Sequence, residues 1–310
     1  VIWASAWDGR ERRPLRLGLA IIVGLSQAVE AFQVGWQSQD AARYPPTGAL
    51  STVLARVPGA AWFLLLGILI GLWGVARDRR PVASAVGVLV LAAVLSEWQT
   101  EIFGSPSRNA FFPGAALLGW TLGQVWALNV RPKADLELRE RLAEAGALGC
   151  LAAAYVGSAT SKLLTTGLAW ADGAQVRALV LQQQPLSDWA WLTAYRNAVI
   201  ETPELAIAAS IATLVIEGGA LLLLFGPRLR AVWALLLIGL HVNITMLATM
   251  PYVGATLLLA LFGLPWPGLR TNVGPRRDEG PTLPLPMAVL LGCLVVAAWS
   301  LQSLGWRATH

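Results

Sequence analysis

Long apolar runs separated by short charged loops set the rhythm of this chain. A helix needs about 20 mostly apolar residues to cross the hydrocarbon core of a bilayer. Nine stretches approach that length: roughly 15–35, 58–76, 81–98, 110–129, 146–164, 204–225, 231–250, 252–266 and 284–305. The pattern predicts an all-α, polytopic helical membrane protein, with about nine membrane segments. The eighth stretch is short and is expected to tilt or to insert only halfway.

The loops between these stretches alternate in charge. One set holds Arg10, Arg12, Arg13 and Arg16; Arg77, Arg79 and Arg80; Arg131, Lys133, Arg139 and Arg141; Arg228 and Arg230; Arg270, Arg276 and Arg277. These are sixteen of the 23 basic residues. The opposite set has Arg43, Arg56, Arg108, Arg177, Arg196 and Arg307. Basic residues collect on the cytoplasmic side of membrane proteins, so the N-terminus is expected in the cytoplasm and the C-terminus outside. The expected location is the cytoplasmic (inner) membrane.

Two connecting stretches carry a pattern of their own. Residues 131–145 alternate acids and bases with leucine at helical spacing, which predicts a cytoplasmic amphipathic helix, either interfacial or simply solvated and held by i,i+4 pairs. Residues 165–203 contain Trp170, Trp189, Trp191 and Tyr195. Aromatics of this kind favour the headgroup level, so one or two helices are expected on the outer surface.

Composition agrees with this class. The chain is 56% hydrophobic and 13% charged, about half the charged fraction of a soluble domain. Its mean hydropathy is +0.58 and its pI about 9.8. The net charge of +5 sits in loops beside spans, so topology accounts for it and no nucleic-acid partner is expected. Cys150 and Cys293 both fall in apolar stretches, where small hydrophobic packing is the default role. The two histidines, His241 and His310, form no cluster of metal-ligand spacing, and no metal or haem is expected. The charged segment Trp7–Arg16 lacks a small-residue cleavage site, so no cleavable signal peptide is expected.

Candidate chemistry lies in the polar residues of the apolar stretches. Lys162 is the only lysine inside such a stretch, and an ionised group there is costly unless it is paired or reaches the interface. With it stand Glu30, Glu97, Glu217, His241 and Asn243, and the uncharged Gln27, Gln99 and Gln124. The expected topology puts Lys162, Glu30 and Glu97 towards the outer face, and Glu217 and His241 near mid-membrane, so that they can converge on one outward-facing pocket. Each also has an ordinary structural reading. Lys162 can snorkel to the interface. Glu217 and Asn243 can bond neighbouring helices. His241 can be a satisfied core histidine, and Glu97 with Glu101 can mark the membrane exit.

Order and spacing of these residues resemble the HTTM family, the transmembrane domain shared by vitamin K-dependent γ-glutamyl carboxylases and many shorter bacterial proteins. The residues that carry the resemblance are Ser161–Lys162–Leu163, Trp170, Gly173, Glu217, His241–Val242–Asn243 and Gly263–Leu264–Pro265–Trp266. Its strongest part covers 155–266, within a single HTTM-like domain over 1–310. The resemblance implies a catalytic base at Lys162, acting on a reduced quinone, with Glu217 and His241 orienting or tuning it. It implies a quinone or lipid pocket drawn from Trp170, Asn243, Glu97 and Glu30. An apolar pocket is a setting in which a lysine serves as a base.

The chain also departs from that family. The family enzymes carry a large extramembrane domain that holds the peptide substrate, and peptide carboxylation by this chain alone is not expected. Its Lys-to-Trp interval is about one helical turn longer than expected. Where the family enzymes place a further histidine, this chain has Arg108–Asn109–Ala110–Phe111–Phe112. Three function classes follow. The first is an accessory or maturation subunit of a membrane complex, with membrane lipids and other membrane or exoplasmic subunits as partners. The second is a quinol-dependent carboxylase or oxidoreductase using Lys162. The third is a transporter built on the intramembrane acids, although no inverted repeat of the transporter type is visible.

Overall fold

In a computed structural model, the described residues are 13–38, 48–104, 108–130, 136–185 and 187–264. They form helices and turns, with no strand among them. The ninth apolar stretch, Cys293 and the Pro265–Trp266 pair lie outside these residues. The chain divides into two compact units, one holding the described residues up to Leu148 and the other those from Gly149 onward.

The N-terminal unit contains α1 (Arg13–Gln37), the short α2 (Ala49–Leu54), α3 (Ala60–Ala76), α4 (Pro81–Phe103), α5 (Arg108–Val130) and the first part of α6 (Leu136–Thr166). Turn chemistry sets several boundaries. Gly59 precedes α3 at φ +74°, and Pro81 opens α4 at a position where a missing N–H costs nothing. Gly104 ends α4 in the left-handed region, its N–H donating to the Thr100 carbonyl at 2.7 Å. Between α3 and α4 the chain reverses within a few residues, and Asp78 and Arg80 take φ values of +56° and +48°.

Asp78 is held in that turn by charge. It meets Arg16 at 2.9 Å and Arg139 at 3.5 Å, while Arg16 reaches Glu140 at 3.0 Å. Arg139 also donates to Gln124 at 3.0 Å. Two bases and two acids thus join the start of α1, the α3–α4 turn, α5 and the start of α6. Arg16 and Glu140 are buried, and in an apolar setting such charges persist because they are paired.

α5 and α6 approach backbone to backbone. A Cβ on Gly123 would overlap the Leu142 carbonyl, and one on Gly146 would overlap the Gly119 carbonyl. Gly119 and Gly123 form a GxxxG spacing, the pattern that lets membrane helices touch without intervening side chains.

The C-terminal unit takes α6 from Gly149 on. It continues with a 3-10 segment (Gly167–Asp172), α7 (Ala174–Gln182), α8 (Ala190–Glu201), α9 (Pro203–Gly218), a second 3-10 segment (Gly219–Leu224), α10 (Pro227–Ala248) and α11 (Val253–Gly263). Arg196 on α8 is buried and donates to the carbonyls of Val180 (2.8 Å), Gln183 and Leu247. One guanidinium therefore caps the ends of both α7 and α10. Beneath it Val180, Val199, Ala206 and Leu247 form a small buried core.

Six helices among the described residues are long and apolar enough to cross a membrane: Pro14–Gln37, Pro81–Phe103, Ala110–Asn129, Leu138–Asp172, Pro203–Leu224 and Pro227–Ala248. The second and eighth stretches form shorter apolar helices of 17 and 11 residues. The amphipathic helix expected at 131–145 is described only from Leu136. From there it is the opening of α6 and has no break before the apolar part. Glu140 and Glu144 within it are buried. The aromatic stretch 165–203 contains short helices.

Candidate functional site

The C-terminal unit holds Lys162, Trp170, Glu217, His241 and Asn243. Tyr155 and Lys162 lie seven residues apart on α6, two turns along one face. Near the end of α9, Glu217 turns inward and forms an ion pair with the Lys162 ammonium through Oε2. The Glu217 side chain is 8% exposed and that of Lys162 20%, so each charge meets its counter-charge where little water reaches it. The Trp170 ring lies 5.3 Å from Lys Nζ, within range of a cation–π contact. Trp170 is delivered by the 3-10 segment that extends α6.

A second pair sits beside the first. The Tyr155 hydroxyl and His241 Nε2 are 2.6 Å apart, and the Tyr252 ring lies 4.8 Å from the imidazole, tilted by 33°. Glu217 is close enough to Tyr155 to act on it electrostatically, as Lys162 is on His241. α6, α9 and α10 therefore bring Lys162, Glu217, Tyr155 and His241 into one polar cluster, with Trp170 and Tyr252 as its aromatic neighbours.

Asn243 takes another direction. Its Oδ1 accepts from the Tyr195 hydroxyl at 2.7 Å, tying α10 to α8. Burial pushes the Tyr195 phenol above its usual range, and the bond to Asn243 pulls it partly back.

The two remaining candidates belong to the N-terminal unit. Glu30 is buried on α1, with Gln27 buried one turn before it. Glu97 is exposed on α4, next to the buried Trp98 and Gln99. Gln99 donates to Gln33 of α1 at 3.3 Å. Glu101, one turn beyond Glu97, accepts from the Ser51 N–H at 2.5 Å and so serves the N-terminus of α2.

Lys162, Glu217, His241 and Trp170 were legible as charged, polar or aromatic residues at informative places. Tyr155 and Tyr252 were not singled out. Tyr155 carried a usable signal, for it is the one phenol in α6 and lies two turns from the lysine. Tyr252 carried none, because its contact depends on how the chain turns between α10 and α11.

The chain matches no family model, no curated protein and no solved structure. The chemistry of this cluster is accordingly argued from its own residues. It holds a paired cation and anion, a phenol bonded to an imidazole, and an indole face beside the cation. Such a set can clamp helices together, hold a polar headgroup or pass a proton.

Proposed function

We propose that this chain is a multi-pass protein of the cytoplasmic membrane, with nine membrane segments and its N-terminus inside. On this reading it is an HTTM-like accessory or maturation subunit of a larger membrane complex. The observation that carries the reading is the ion pair between Lys162 and Glu217. A lysine that already has its carboxylate partner joins α6 to α9, and its place in an apolar stretch is accounted for by structure. The Tyr195–Asn243 bond and the Arg196 caps add to a scaffold of satisfied polar links between helices.

A second reading has one observation in its favour. The Tyr155–His241 pair and the Trp170 face lie around the same lysine, an arrangement suited to a quinol-dependent enzyme with Lys162 as base. In that reading a quinone or other lipid enters beside Trp170.

The two readings separate on one pair of variants, made in cells that produce the protein. Lys162→Met alone leaves Glu217 without its partner, whereas Lys162→Met with Glu217→Leu replaces the pair with apolar side chains of similar size. The subunit reading expects the double variant to retain its co-purifying complex and its cellular role while the single variant loses both. Loss of the cellular role in the double variant, with the complex still assembled, would sink that reading in favour of the enzyme. Mass spectrometry of lipids co-purified with each form would then identify the ligand.

A further inference from the structure

Three candidate spans of the C-terminal unit end beneath one roof. The extension of α6 meets the first turn of α9, where a Cβ on Gly173 would lie 2.7 Å from the Ile207 nitrogen and 2.8 Å from the Ala206 carbonyl carbon. Gly173 takes φ +81°, a conformation that favours glycine, so the turn and the close approach both need this residue. Arg196 fastens the ends of α7 and α10 to α8. α8 is itself separated from α9 only by Thr202. The segment from 163 to 204 therefore sits at one end of α6, α9 and α10, where spans of this length leave the hydrocarbon.

The surface of that roof is unusual for a water-facing one. Leu164 and Leu168 are 78% and 82% exposed, Leu181 64%, Trp189 62% and Trp191 54%. The two indoles pair at 5.8 Å between centroids, inclined by 32°. The exposed charge of the segment is acidic, with Asp188 next to Trp189 in the chain and Asp172, Glu201 and Glu204 elsewhere along it. The bases of the same segment are turned in, Arg177 half-buried and Arg196 buried. Most interfacial segments are rich in lysine and arginine that seek anionic lipid; this one offers an anionic headgroup four carboxylates and no exposed base.

We infer that this roof docks into the headgroup layer of zwitterionic phospholipid, with the Trp189–Trp191 pair and neighbouring Asp188 taking the headgroup ammonium. Indole faces are the best side-chain partners for an ammonium group, and a carboxylate beside them supplies its counter-charge. The leucines enter the upper acyl region, and exposed apolar side chains further along α9 and α10, such as Ile211 and Leu235, meet the acyl chains below it. The inference rests on the reading of this chain as membrane-spanning, and it names the lipid that its roof prefers.

The test uses the full chain in nanodiscs of phosphatidylcholine or phosphatidylglycerol, with and without bromine on the acyl carbons nearest the headgroup. The fluorescence difference between the natural chain and Trp189→Phe/Trp191→Phe isolates the two roof indoles. In phosphatidylcholine that difference should be quenched about twofold or more by bromine. In phosphatidylglycerol the quenching should be clearly smaller. Leu168→Trp adds an indole on the same face, whose added signal should follow the same order, so the result does not depend on one variant folding. Quenching of the difference by acrylamide and not by bromolipid would overturn the inference, as water-facing indoles. Shielding from both would overturn it in favour of a protein partner, and equal quenching in the two lipids would overturn the headgroup preference. The tryptophans left in the double variant report the spans separately: if bromine does not quench them either, the membrane-spanning reading itself has failed.

Discussion

At the scale of single residues, the Lys162–Glu217 pair decides most about the C-terminal unit. Removing one partner of a buried ion pair leaves an uncompensated charge and costs about 3–5 kcal/mol, whereas replacing both with apolar side chains of similar volume is close to neutral. Glu217→Gln and Lys162→Met are each expected to lower the detergent or thermal unfolding midpoint markedly. Lys162→Met/Glu217→Leu should return most of that loss. A double variant no better than the worse single one would show that the pair is not the reason for the cost. The lysine, the acid and His241 could be picked out beforehand because an ionisable group in an apolar run is conspicuous whatever surrounds it. Who pairs with whom could not, since Glu30, Glu97 and Glu217 were equivalent as candidate partners until α9 was seen to turn Glu217 towards α6.

At the scale of elements, α6 is the one that departs most from its expected form. Its charged opening and its apolar body were expected as separate pieces, because acids and bases in lipid are costly. Within the packed helix that cost is offset: Glu140 is met by Arg16, and Arg139 by Asp78 and Gln124. The charges then become part of one 31-residue helix. Its apolar window is 89% buried, against 28–61% in the other five candidate spans. The close α5–α6 contact imposes a strict size limit on this element. Gly146→Ala would normally favour a helix by about 1 kcal/mol. Here its methyl group meets the Gly119 carbonyl, a backbone atom that cannot rotate away. We expect a net destabilisation of about 1–3 kcal/mol, as for overpacked cores, read as a lower midpoint in equilibrium unfolding from detergent. An unchanged or raised midpoint would refute so close an approach.

At the scale of the whole molecule, the spacing of charged loops carries the proposed orientation. A reporter active only outside the cytoplasm should be silent when fused after Val130 and active when fused after Gln184. The opposite result would reverse the proposed topology, and activity at both sites would break the expected alternation of spans. The same loops show how one charge pattern can serve two purposes. Arg16, Arg139 and Asp78 belong to loops read as topological signals, and with Glu140 they also form a partly buried ion-pair network within the N-terminal unit.

The sequence by itself determined that the chain is helical and built from apolar stretches of span length. It did so because hydrophobicity and run length are local properties, summed over neighbouring residues. It also marked where polar chemistry could lie, for a charge in an apolar run stands out by contrast alone. Only the tertiary structure decided that Lys162 meets Glu217, that Tyr155 joins His241, and that Arg196 fastens the ends of α7 and α10. Those contacts link residues 13 to 86 positions apart, and their energies depend on separations of a few ångströms that no local pattern encodes.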